Sequence, residues 1–159
     1  FTKVLKGHIA VATTNINKDN IGKKIDKRAR KFLKQNNLDY SHGTGHGVGF
    51  FLNVHEGPQS ITKINKIRIR QGMILSNEPG YYKRDNYGIR IENLVFVNKK
   101  KGNLFFENLT MVPIEKDLIN YDLLTASEKN YLFKYHLNVY SKISKYLNVK
   151  EKKWLASLI

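Results

Sequence analysis

Ser41-His-Gly-Thr-Gly-His-Gly-Val-Gly49, Val54-His-Glu-Gly-Pro58, Ser76-Asn-Glu-Pro-Gly80 and Gly88-Ile-Arg-Ile-Glu-Asn93 are the stretches on which the reading of this chain turns. Between residues 41 and 93 they set out His42, His46, His55, Glu78 and Glu92, in an order that reads as a dinuclear metal site. Imidazole and carboxylate are the borderline and hard donors that first-row divalent ions accept, whereas a soft site needs thiolates. The chain has no cysteine, so zinc fingers, iron–sulfur clusters and thiol catalysis are excluded.

The last two stretches also set the local fold. Apolar runs Met73-Ile-Leu-Ser-Asn-Glu78 and Gly88-Ile-Arg-Ile-Glu-Asn-Leu-Val-Phe-Val97 flank a polar, turn-forming segment, Lys83-Arg-Asp-Asn-Tyr-Gly88. A hairpin centred on Asp85 puts Glu78 opposite Glu92, so the register that joins the glutamates is also the one the loop prefers. Directly opposite side chains lie about 4.5 to 5.5 Å apart at Cβ, and like charges there repel unless something compensates them. A divalent cation does this, and carboxylates that bridge two ions hold them about 3.5 to 4 Å apart. Arg90, two residues from Glu92, faces the same side of its strand and is placed to neutralise or orient either the carboxylate cluster or a substrate carboxylate.

Outward from this core, the spacing of Phe1, Val4, Leu5, Ile9 and Val11 predicts one amphipathic helix. Ile25, Ala29, Phe32 and Leu33, after the break at Asn20-Ile-Gly22, predict a second. Residues 41–57 hold too many glycines for a helix and read as loop and short strand, with room for a ligand. Leu104 to Val112 reads as a further strand closed by Pro113. A helical tail begins at Thr125-Ala-Ser-Glu128, which has capping-box spacing, and runs through Leu132, Phe133, His136, Val139, Tyr140 and Ile143. A short final helix carries Trp154, Leu155 and Leu158. His8 and His136, alone in helical segments, read as structural histidines, and Phe50, Phe51, Tyr81, Tyr82 and Met73 as packing, with Phe50 and Tyr81 flanking the site.

The 28 basic against 13 acidic residues give a net charge of +15. The lysines are interleaved with asparagines, and the longest basic run, Lys99-Lys100-Lys101, falls at a hairpin turn. With no nucleic-acid motif beside it, this charge reads as a solvated Lys/Asn-rich surface, and no nucleic-acid partner is expected. No apolar run approaches the roughly 20 residues of a membrane span, so no membrane partner is expected and a soluble compartment is the default. The absence of cysteine fits a reducing, cytoplasmic interior, with a lysosome-like or vacuolar compartment as the alternative.

At these residues the chain resembles aminopeptidase P, the Xaa-Pro aminopeptidase branch of the pita-bread metallopeptidases, in its eukaryotic cytosolic type. The resemblance extends over Phe1-Thr-Lys-Val-Leu-Lys-Gly-His-Ile-Ala10, Leu38-Asp-Tyr-Ser-His-Gly-Thr-Gly-His-Gly-Val-Gly49, Leu52-Asn-Val-His-Glu-Gly-Pro58, Asn77-Glu-Pro-Gly-Tyr-Tyr82, Tyr87-Gly-Ile-Arg-Ile-Glu-Asn93 and Leu109-Thr-Met-Val-Pro-Ile114. It is least specific in the tail from Leu118.

That resemblance implies an α+β fold: the C-terminal half of a pita-bread (creatinase/aminopeptidase-like) domain over residues 1–116, a curved, mostly antiparallel sheet covered by helices, with a helical extension over 117–159. It implies His46, Glu78 and Glu92 as metal ligands. Two further aspartate ligands are expected on sequence preceding Phe1, in an N-terminal part of the same protein.

It also implies two divalent ions, manganese before zinc or cobalt, and a metal-bridging hydroxide attacking the carbonyl before a proline in the second position of a peptide. Glu78 is then the general base and proton shuttle, His55 the group that hydrogen-bonds the oxyanion, His42 a residue toward the proline side, and Arg90 a support. A prolidase-type Xaa-Pro dipeptidase and a metal-free pita-bread binding module are the alternatives. The apolar surplus of the tail suits either docking on its own catalytic core or pairing in a homodimer.

Overall fold

The computed structural model describes residues 1–51 and 53–159; Leu52, first residue of one of the quoted motifs, lies outside the described residues. The fold is α+β, with every strand pairing antiparallel. It divides into two compact units, Lys3–Thr110 and a second made of Phe1–Thr2 with Met111–Ile159.

The larger unit begins with helices α1 (Thr2–Ala12) and α2 (Gly22–Lys34). Short strands β1 (Gly45–His46) and β2 (Ser60–Ile61) pair with each other. A long hairpin follows in two stretches. Strand β3 (Ile74–Asn77) pairs with β6 (Asn93–Lys100), and β4 (Gly80–Lys83) pairs with β5 (Tyr87–Arg90). From Ile74↔Phe96 through Asn77↔Asn93 to Gly80↔Arg90 and Lys83↔Tyr87, every pair is symmetric about residue 85. The turn residue Asp85 takes φ +55, a left-handed conformation that aspartate tolerates better than most side chains.

Strand β7 (Asn103–Asn108) completes the sheet in the order β3-β6-β7, joined to β6 by Lys101 and Gly102, both at positive φ. The basic run thus ends in the expected turn. The strand predicted to reach Val112 stops at Asn108. Its ladder ends with the Leu109 amide on the Leu94 carbonyl, and the Leu94 amide then donates to the Thr110 side chain at 2.8 Å instead of to a backbone oxygen.

Val11, Ile16, Ile25, Ala29, Ile61, Ile69, Leu75, Val95, Val97 and Phe106 form one buried cluster with Met73 and Leu104 packed against it. Val11 of α1, Ile25 and Ala29 of α2 and one face of the β3-β6-β7 sheet contribute to it, and so fix the sheet on which the site is built. Burial of this kind contributes roughly 25 cal/mol per Å² of apolar surface.

In the smaller unit, α3 (Ala126–Ile143) opens with the predicted capping box: Glu128 N–H donates to the Thr125 hydroxyl, and the Glu128 carboxylate accepts from Thr125 N–H. Its buried stripe is Leu132, Tyr135, His136 and Val139. Phe133, expected in that stripe, is 62% exposed, because the i, i+3, i+4, i+7 positions counted from Leu132 pass it by. His136 Nε2 accepts the Ile114 amide at 3.1 Å, and the Tyr135 hydroxyl donates to the Val112 carbonyl at 2.7 Å. The final helix, α4 (Val149–Ser157), carries a second capping box on Asn148 and Glu151. No helix among the described residues is long and apolar enough to cross a membrane.

Candidate metal centre

His46, Glu78 and Glu92 come together in the larger unit. Among the described residues they form a group in which one imidazole nitrogen and two carboxylate oxygens all lie within 4.8 Å of one another. Each is set by a different stretch of backbone. Glu78 follows the last residue of β3, and its amide donates to the Thr44 carbonyl at 2.8 Å. Glu92 lies just before β6, across the hairpin. His46 is in β1, where its amide donates to the Ser76 hydroxyl at 2.9 Å; that hydroxyl donates in turn to Glu78 Oε1 at 2.8 Å.

The glycines between the histidines serve this approach. A Cβ on Gly45 would overlap the Ser76 carbonyl oxygen, and one on Gly47 would overlap the Glu56 carbonyl oxygen. The room that glycine leaves in this loop is therefore filled by the chain's own backbone, whereas the sequence alone suggested a ligand.

Charge is arranged around Glu78. The side chain is buried; Oε1 lies 3.4 Å from His46 Nε2 and Oε2 lies 3.1 Å from Arg90 Nη1. Arg90 Nε donates to the Tyr82 hydroxyl at 2.8 Å. The bond to Tyr82, with the charges of Glu78 and Glu92 nearby, favours the guanidinium's charged form. Two carboxylates beside one imidazole, with a single arginine for balance, form a cation-seeking arrangement. The set fits a divalent ion by donor type and by convergence.

The other expected site residues lie in two places. The His55 ring stacks near that of His46, with centroids 4.0 Å apart at 37°, and is exposed. His42 lies on the far side of Tyr82, whose hydroxyl is 2.9 Å from His42 Nε2. Its Nδ1 is 2.6 Å from the Gly43 carbonyl oxygen. A Cβ on Gly80 would come within 3.0 Å of His42 Nε2, so this glycine lets the imidazole lie against β4.

Tyr82, read from sequence as packing, is a polar link: its hydroxyl touches both His42 and Arg90. Sequence offered one hint, its adjacency to the Glu-Pro-Gly turn. Phe50, expected to flank the site, is 90% exposed. His8 departs from a hydrogen-bonded core histidine, because both ring nitrogens are buried without a partner while its carbonyl accepts from Asn77 Nδ2 at 3.0 Å. Burial lowers its pKa to about 4 and holds the ring neutral.

Residues 1–99 match metallopeptidase family M24, and residues 102–158 match the C-terminal region of peptidase_M24. A probable Xaa-Pro aminopeptidase P from Coprinopsis cinerea is 50% identical over 155 residues, which cover 91% of this chain and 25% of that protein. The chain thus spans about a quarter of the length of such relatives. Among solved structures, the X-prolyl aminopeptidase of Caenorhabditis elegans, described as a cytosolic enzyme with a dinuclear active site, superposes with a TM-score of 0.89 at 38% identity. That match covers 99% of this chain and 27% of the nematode chain. A prolidase from Pyrococcus horikoshii OT3 gives a TM-score of 0.60 at 28% identity over 74% of this chain and 31% of its own.

Proposed function

Because the chain belongs to metallopeptidase family M24, we propose that the protein it comes from is a metal-dependent aminopeptidase that removes the first residue of peptides with proline in the second position. The observation that carries this reading is the convergence of His46, Glu78 and Glu92 to within 4.8 Å. The greater coverage of this chain by the nematode aminopeptidase, 99% against 74% for the prolidase, favours it over the dipeptidase alternative. A metal-free binding module would have no need of this ligand set.

In this reading His46, Glu78 and Glu92 hold a pair of divalent ions together with two aspartates from the rest of the protein. Manganese suits so oxygen-rich a donor set. When bound, the ions supply Lewis acidity and lower the pKa of water toward neutrality.

Glu78 acts as general base on its carboxylate and returns the proton to the leaving nitrogen. Ser76 on Oε1 and Arg90 on Oε2 restrict that carboxylate to one orientation. His55, beside His46, hydrogen-bonds the developing oxyanion. His42, held by Tyr82, faces the proline side. The Xaa-Pro bond has no N–H, so a pocket shaped for the ring leaves no donor unsatisfied.

The protein works in the cytosol, as the nematode relative does. It pairs with a second copy through the exposed apolar side chains of the smaller unit, among them Phe133, Leu137, Tyr146 and Trp154. Light scattering of the full protein tests this pairing, and a monomer at micromolar concentration contradicts it. Hydrolysis of an Arg-Pro-Pro type peptide, lost on chelation and dialysis and restored by Mn²⁺, tests the activity.

A further inference from the structure

Arg30 lies in the middle of α2, where Ile25, Ala29 and Leu33 already supply the core-facing side chains. It is nonetheless only 2% exposed, and every one of its nitrogens is engaged. Nε donates to both Asp26 oxygens at 2.9 and 2.8 Å. Nη1 donates to Asp39 Oδ1 at 2.6 Å and to the Tyr40 carbonyl at 2.7 Å. Nη2 donates to the His42 carbonyl at 2.6 Å, and the guanidinium carbon sits 3.8 Å from the centroid of the Tyr40 ring.

A buried ion cluster adds little net stability over apolar side chains of the same volume. Its distinctive effect is directional, because a planar fork fixes the groups that accept from it.

Two routes lead from this fork to residues of the candidate site. One is direct, to the His42 peptide. The other runs from Asp26 Oδ1, which accepts from the Thr44 hydroxyl at 2.7 Å, to the Thr44 carbonyl, which accepts from Glu78 N–H at 2.8 Å.

We propose that Arg30 is a positioning residue for the active site: it holds the His42 peptide directly and the Glu78 peptide through Asp26 and Thr44. This rests on the catalytic reading given above for Glu78 and His42. Arg30 touches no reacting atom. It sets the angle at which the glycine-rich loop presents one residue and anchors the other. A lysine here keeps the charge and loses the fork, so Tyr40, His42 and Asp39 cannot all be reached together.

The test is made on the full-length, metal-loaded protein carrying Arg30→Lys or Thr44→Val. Misplacing a catalytic group by about 1 Å lowers turnover by about a hundredfold. For Arg30→Lys, kcat is expected to fall at least about tenfold, with KM within about threefold of the parent and metal content unchanged. Thr44→Val, nearly isosteric, is expected to lower kcat in the same way while leaving His42 in place, and it carries the test if Arg30→Lys does not fold.

A readout independent of turnover is the histidine ring signal in selectively labelled, metal-free protein, with the His42 peak assigned through His42→Asn. That peak moves in Arg30→Lys. Parent-like kcat in either folded variant, or an unmoved His42 peak in Arg30→Lys, overturns the proposal. If the parent itself does not cleave Xaa-Pro peptides, the catalytic reading fails separately, and the His42 peak still decides whether Arg30 positions this loop.

Discussion

Arg90 Nη1 lies 3.1 Å from Glu78 Oε2, so the buried carboxylate meets the guanidinium on one oxygen and His46 on the other. Arg90 is itself nearly half exposed, and the pair adds little to stability. Its effect falls on orientation. Replacing Arg90 by methionine is expected to lower kcat/KM about 10- to 100-fold, in the range found when partners of metal ligands are removed. Steady-state kinetics on an Xaa-Pro peptide, together with metal analysis, measures this. A parent-like kcat/KM contradicts the role.

Tyr82 joins Arg90 to His42 through one hydroxyl, at 2.8 and 2.9 Å. Tyr82→Phe removes only that oxygen and leaves the ring packing in place. The loss of one hydrogen bond to a charged group predicts a fall of about tenfold in kcat, with the Arg90→Met and Tyr82→Phe effects less than additive because both act on one network. Additive effects in the double variant would show that the two residues act independently.

His8 provides a pH dependence. Its pKa in the fold is about 4, lowered by burial from the ordinary 6.5, so between these values the unfolded chain binds a proton that the folded chain does not. The stability that depends on a neutral ring is complete above pH 6.5 and is lost as pH falls through that window. His136, also lowered by burial, acts in the same direction. For Asp39 burial works upward, but hydrogen bonds from Lys63 and Arg30 prevail and hold it at about 2, so its contribution is lost as pH falls from the ordinary 3.8 toward that value, below the histidine window. Denaturant midpoints of the full protein measured from pH 7 to 4 should fall less steeply for His8→Leu than for the parent. Equal slopes would show that His8 takes up its proton while folded.

The parts legible in the sequence are those written in local pattern. Apolar runs on both sides of Lys83–Gly88 fixed the pairing symmetric about Asp85, and with it the meeting of Glu78 and Glu92, because a one-residue slip would turn every core side chain outward. The Thr125–Glu128 box was legible because both of its hydrogen bonds lie within one turn.

Contacts made across distant segments were not. The Tyr82 hydroxyl reaches His42 forty positions away, and no spacing rule announces this. Arg30 reads as one more cation on a basic helix, and only the i, i+4 interval to Asp26 hints that it turns inward. Strand β7 ends early because the Thr110 side chain takes over a backbone partner, which hydrophobic pattern does not register.

The most direct test of the account is anomalous diffraction from crystals of the full protein soaked with Mn²⁺. Two anomalous peaks are expected, each within bonding distance of at least one of His46 Nε2, the Glu78 carboxylate and the Glu92 carboxylate. Ions bound elsewhere, or none at these side chains in a protein that cleaves Xaa-Pro peptides, would contradict it.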